Sequence, residues 1–270
     1  MSTRALVGTL AVVLGVVLSG CSGGSSPATA PQTFSTTTTA PPKAPPVGAC
    51  YRLDVGAALR PTSTVPAVPC TQRHTAVTVA VGTLQPVVDG HLLAVDSDRV
   101  QRQLADRCRR AVDAHVGGSA LKQRLSRVQA VWFNPSPAQV DQGALWYRCD
   151  LVVSAGNRSF ASLPRKTKGL LAAPGAMNRW GTCGTTAPSS KTFQRVLCSA
   201  PHSWRARSTI SLPASTTYLA IKAGKTADSR CRSVAAHLSP KSRKLRWAFE
   251  WPTLNQWRSG QRYGFCWTPS

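Results

Sequence analysis

An α+β fold of two tandem, small, disulfide-stapled domains is predicted here, each a short antiparallel sheet packed with one helix, after a signal peptide and a disordered tether. Three observations carry that prediction. The stretch VPCTQRH at residues 68–74 returns as VLCSAPH at residues 196–202, so Cys70 and His74 stand four apart, as do Cys198 and His202. A glycine-cysteine opening precedes each copy, Gly48-Ala49-Cys50 and then Gly181-Thr182-Cys183. Each copy then runs through a helix-like stretch with its own cysteine, Cys108 or Cys231, to an ending of fixed spacing: Pro135, Gly143, Cys149, then Pro252, Gly260, Cys266. Such a duplication settles the organisation before any single element is considered.

Within the first copy, residues 74–84 alternate and are β-branched, which predicts a strand. Residues 97–116 place Val100, Leu104, Cys108, Ala111, Val112 and Val116 on one helical face, with Asp96 or Ser97 as cap and Gly117-Gly118 as stop. Two more strands are expected at 127–133 and 144–153, joined by the turn-rich PSPAQVDQG. The second copy predicts a strand at 204–212, a helix at 227–238 and strands at 245–251 and 262–267. The expected domains are therefore 48–158 and 175–270, with 159–174 as a short linker.

Residues 1–21 read as a targeting leader. Arg4 supplies the positive end, and residues 5–18 form an apolar run shorter than the ~20 residues a spanning helix needs. The run ends in Leu18-Ser19-Gly20-Cys21, which resembles the bacterial lipobox. The expectation is a lipoprotein whose mature chain begins at lipidated Cys21, held on the outer face of the cell membrane through that lipid. Residues 22–47, rich in proline, threonine and serine, bury too little apolar surface to order and are expected to form a flexible tether.

Eight cysteines remain after Cys21, four per copy: Cys50, Cys70, Cys108 and Cys149, then Cys183, Cys198, Cys231 and Cys266. In an exported chain an even, matched set reads as a disulfide framework. Spacing permits three pairings per copy. The loose opening needs tying to the next strand, which favours Cys50–Cys70 and Cys183–Cys198; the inward helix cysteine favours Cys108–Cys149 and Cys231–Cys266. Zinc on Cys-x3-His is the alternative, but no second close pair completes a four-ligand site, and neither a metal nor a cofactor is expected. His74 and His202 are expected at the strand start, bonding backbone.

Net charge is +23, unevenly spread. Residues 48–158 carry 13 basic and 8 acidic side chains, a net of +5; residues 159–270 carry 18 and 2, a net of +16. That asymmetry points to an anionic envelope polymer or an envelope protein as partner, with no nucleic acid expected. Candidate binding residues are Arg205, Lys241, Arg243, Lys244, Arg246, Trp257 and Arg258. The second copy sets arginine beside tryptophan four times, at 179–180, 204–205, 246–247 and 257–258. Either these form stacking and pairing sites, or the tryptophans are core and the arginines flank them.

Enzyme signatures are sparse. The second copy has only Asp228 and Glu250 as carboxylates, and G-x-S-x-G, a glycine-rich phosphate loop and H-E-x-x-H are all missing. A non-catalytic binding or scaffold module is the expectation, with an envelope hydrolase as the alternative.

The glycine-cysteine start, V-x-C-x-x-x-H, helix cysteine and P-x(7)-G-x(5)-C ending together resemble the septum formation domain of actinobacterial membrane-anchored proteins and lipoproteins. The resemblance covers both copies. Its usual Cys-x-x-Pro-His survives as Pro201-His202, whereas Arg73 precedes His74; its usual tryptophan is Trp257 in one copy and Val140 in the other. The resemblance implies envelope work linked to septum formation or cell division, and no catalytic residues.

Overall fold

Each copy threads a short opening strand between two others, and the alternating β-branched runs supply the long strands beside it. The structure, a computed structural model, describes residues 40–215, 217–223, 225–239 and 244–270. Cys21, the leader and residues 22–39 of the tether lie outside the described residues, as do Lys241 and Arg243.

Repeat one comprises β1 (Cys50–Tyr51), α1 (Val55–Ala58), β2 (Ala67–Val68), β3 (Ala76–Thr83), the hairpin β4 (Val87–Val88) and β5 (His91–Leu92), and α2 (Asp98–Val116). It closes with α3 (Ala120–Leu125), β6 (Val128–Phe133), α4 (Pro137–Asp141) and β7 (Trp146–Val153). Repeat two comprises α5 (Ala176–Trp180), β8 (Thr182–Gly184), β9 (Arg195–Leu197) and β10 (Trp204–Ser211). Then come α6 (Tyr218–Ala223), α7 (Thr226–Leu238), β11 (Ala248–Glu250), α8 (Leu254–Arg258) and β12 (Tyr263–Pro269).

The two five-stranded sheets have one topology. Their orders are β2-β1-β3-β7-β6 and β11-β12-β10-β8-β9, which coincide when the second is read from its other end. Every pairing is antiparallel. Even the bulge is duplicated: register shifts between Thr78 and Ala80, and between Ala206 and Ser208, at the same distance past His74 and His202. One helix covers each sheet, α2 on β3, β6 and β7, and α7 on β10, β11 and β12. The predicted stripe of α2 is buried at Val100, Leu104, Cys108, Val112 and Val116.

Three expectations need correcting. The PSPAQVDQG connection is a helix, α4, and its counterpart is α8. In each a capping box closes the first turn, Ser136 with Gln139 and Thr253 with Gln256, and a glycine at positive φ follows, Gly143 at 85° and Gly260 at 91°. The proline–glycine–cysteine spacing is thus the length of one capped turn plus the run into the last strand. Second, the strand expected at 245–251 pairs only over Ala248–Glu250. Trp247 is drawn off the ladder by its indole N–H, which donates to Asp228 Oδ1 on α7 at 3.2 Å.

The third correction concerns the linker at 159–174, which is core rather than spacer. Leu163, Leu170 and Leu171 are buried in one cluster with Val112 and Val116 of α2 and with Trp180 and Leu197 of repeat two. The backbones join there too: Arg127 N–H donates to Trp180 O at 2.9 Å, and Ser126 bridges Gly181. Both repeats belong to one compact unit.

Gly181 shows how tight that junction is. A Cβ there would lie 2.3 Å from Met177 O and 3.2 Å from Cys198 Sγ. Gly181→Ala is expected to destabilise by about 1–3 kcal/mol, the usual range for overpacking. A thermal melt of the oxidised chain checks it, and an unchanged Tm would contradict the packing described.

Candidate binding surface

The motif shared by the repeats is a stapled turn. The bridges are Cys50–Cys70, Cys108–Cys149, Cys183–Cys198 and Cys231–Cys266, the pairing favoured from the sequence. In each repeat the shorter bridge ties the opening strand to the residues before the histidine. The longer one ties the helix to the last strand. Past Cys70 and Cys198 the chain turns, with Gln72 N–H donating to Pro69 O and Ala200 N–H to Leu197 O, each at 2.9 Å. The histidine then closes the turn. His74 Nδ1 lies 2.9 Å from Gln72 O, and His202 Nδ1 lies 2.7 Å from Ala200 O. A carbonyl only accepts, so Nδ1 carries the proton in both rings. In both, the partner of Nδ1 is main chain rather than a carboxylate, and His74 is buried.

The septum formation model matches residues 15–132 and again residues 120–266, so the duplication is legible to it as well. The chain belongs to the septum formation family. No curated protein and no solved structure matches it.

In this member of the septum formation family the arginine–tryptophan neighbours separate. Trp180, Trp204 and Trp257 are buried. Arg179 does cover its neighbour Trp180, at 4.5 Å from the ring centroid. The other rings take distant partners: Arg246 lies over Trp204 at 5.4 Å, Arg232 over Trp247 at 5.5 Å and Arg262 over Trp257 at 4.0 Å. Trp257, one of the candidate binding residues, is a core residue, its ring met by Arg262 and tilted against Tyr218. Alternation along a strand and the pitch of a short helix turn sequence neighbours to different sides, so for these buried rings the alternative holds in which the tryptophans are core and the arginines flank them. Of the other candidates, Lys244, Arg246 and Arg258 are exposed and Arg205 is half-buried.

The two repeats of this chain also carry an ion pair among their strands, placed differently in each copy. In repeat one, Arg148 and Asp150 are an ion pair at 3.2 Å, their side chains 4% and 0% exposed. The guanidinium lies over Tyr51 at 4.0 Å and Phe133 at 4.7 Å, and Thr78 Oγ1 donates to Asp150 Oδ1 at 2.7 Å. Burial pushes the Asp150 carboxyl up to about 6, outweighing the opposite pull of Arg148. In repeat two the positions of Arg148 and Asp150 hold Phe265 and Trp267, and the ion pair, now only half-buried, is Arg195 with Glu250. Trp267 Nε1 donates to Glu250 Oε2 at 3.0 Å, and burial raises the Glu250 carboxyl against the pull of Arg195. Sequence reading missed both pairs: Arg148 and Asp150 alternate with Cys149 and so fall on the strand face away from α2, where alternating charges read as solvent-facing.

Proposed function

We propose that this chain is a lipid-anchored envelope protein, carried on a flexible tether, that acts by binding rather than catalysis and serves septum formation. Its second repeat is the electropositive contact surface. One observation carries the reading: residues 159–270, the connecting segment and repeat two together, have 18 basic side chains against 2 acidic ones, and both acids already have partners within the chain. Glu250 pairs with Arg195, and Asp228 accepts from Trp247. The outward field of this half of the chain is therefore predominantly positive, and it acts within about 8 Å of an anionic surface at physiological salt. The Leu-Ser-Gly-Cys sequence supports the anchor, and the family supports the link to septum formation. The partner is an anionic wall or membrane polymer.

The oxidised full chain is to be sedimented with phosphatidylglycerol vesicles and with anionic wall polymer at low and high salt. Arg230→Glu/Arg258→Glu, on the exposed surface of repeat two, is expected to weaken binding by about tenfold at low salt, ~1.4 kcal/mol. Arg102→Glu/Arg110→Glu, on repeat one, is expected to weaken it far less. Equal losses would remove the assignment to repeat two. In cells, Cys21→Ala is expected to shift the protein from membrane to soluble or unprocessed fractions; unchanged membrane retention would end the anchoring claim.

A further inference from the structure

Edge strands offer unpaired backbone, and one edge of repeat one opens into a cavity. Strand β6 has a sheet neighbour only on its β7 side. Ser154 N–H donates to Arg127 O, which sets the ladder phase, so by alternation Val128, Ala130 and Trp132 turn their backbone groups away from β7. Val128 N–H fits this phase, donating to Ser126 Oγ at 3.2 Å instead of to β7. Among the described residues, Ala130 and Trp132 have no backbone partner beyond the strand pairing itself.

The chain itself shows how this edge takes a partner. At Ser126 the lead-in to repeat two adds antiparallel through Gly181, with Arg127 N–H on Trp180 O and Thr182 Oγ1 donating to Ser126 O at 3.2 Å. Ahead of Trp180 the lead-in is the helix α5, so this pairing extends no further along β6. Beyond that point the edge faces a cleft of about 1070 Å³ between the repeats, walled by α2 and α3 on one side and by α8 and the start of β12 on the other. This volume is at the upper end of ligand pockets.

The lining is charged with a positive excess. Arg109, Arg124 and Arg262 face Asp106 and Asp113. Asp106 is already paired with Arg109 at 3.2 Å, and burial raises the Asp113 carboxyl. Arg124 lies over the Tyr263 ring at 4.8 Å, the ring standing at the cleft wall on the repeat-two side.

We propose that the cleft binds an extended, acidic peptide segment of a partner protein, which adds to the β6 edge as a sixth strand beside Ala130 and Trp132. The backbone edge supplies main-chain hydrogen bonds, and Arg124 and Arg262 select acidic side chains. This is separate from the charge surface of repeat two and does not rest on it.

The test uses the oxidised full chain and a fluorescent acetyl-VEVTVEVT-amide probe, read by polarisation. Saturable binding is expected, weakened at least about tenfold when alternate probe amides are N-methylated, ~1.4 kcal/mol. Ala130→Pro removes the edge donor at a position where an edge strand accepts proline, and is expected to weaken binding similarly. Arg124→Glu, at an exposed position on α3, leaves the backbone edge intact, so it reports even where the proline variant folds poorly; it is expected to weaken the acidic probe and to strengthen a lysine-substituted one. Hydrogen exchange is expected to slow at the Ala130 and Trp132 amides when the probe binds. No binding up to about 1 mM probe, ~4 kcal/mol of affinity, would overturn the proposal. So would indifference to N-methylation, protection of the same amides by self-association alone, or displacement of the probe by neutral glycan fragments.

Discussion

Arg148→Ala is expected to cost repeat one about 3–5 kcal/mol, because it strands Asp150 as an uncompensated buried charge. The substitution also empties the space between Tyr51 and Phe133, where the guanidinium meets both rings. Asp150→Asn separates the two contributions, since it keeps the bond to Thr78 while removing the charge. The pH profile has a definite sign. Asp150 titrates at about 6 in the folded chain and at ~3.9 unfolded, so the folded state holds the proton more tightly. Its contribution to stability is fully present below pH ~4 and is lost as pH rises through about 6. Denaturant titrations of wild type should show that decline over this window, and Asp150→Asn should flatten it. A profile unchanged by Asp150→Asn would place the titration elsewhere.

The second large effect belongs to the longer disulfides. Cys231→Ala/Cys266→Ala opens a loop of 35 residues and Cys108→Ala/Cys149→Ala one of 41, each worth about 4 kcal/mol by loop entropy. Cys183→Ala/Cys198→Ala opens only 15, about 3 kcal/mol. The ranking is checked by denaturant midpoints of the three double variants. Because Val112, Leu171, Trp180 and Leu197 share one core cluster, losing either long bridge is expected to lower a single transition. Two resolved transitions would contradict a core shared by the repeats.

Much of this was legible beforehand. The stripe from Val100 to Val116, the long strands and the bridge pairing follow from periodicity and from which cysteines face the core. The short helices α4 and α8 escaped because five residues are too few for a 3.6 period, although S-x-x-Q and T-x-x-Q encoded their caps. The linker escaped because Leu163, Leu170 and Leu171 are scattered among lysines, prolines and glycines, and composition outweighed three apolar side chains. The charged core of repeat one and the open β6 edge depend on which strands become neighbours, and local pattern does not record that. Tryptophan–arginine adjacency was the least reliable signal, as Trp257 illustrates: its cation is Arg262, five residues on, rather than Arg258.

The Cys50–Cys70 bridge has a mechanical meaning. Force applied through residue 47 passes only Gly48 and Ala49 before it reaches a covalent cross-link. Strand β1 therefore does not peel from β2 and β3 one hydrogen bond at a time. The load is shared at once with the segment before His74, so a pull on the chain just ahead of Gly48 is borne by both strands together instead of unravelling the first.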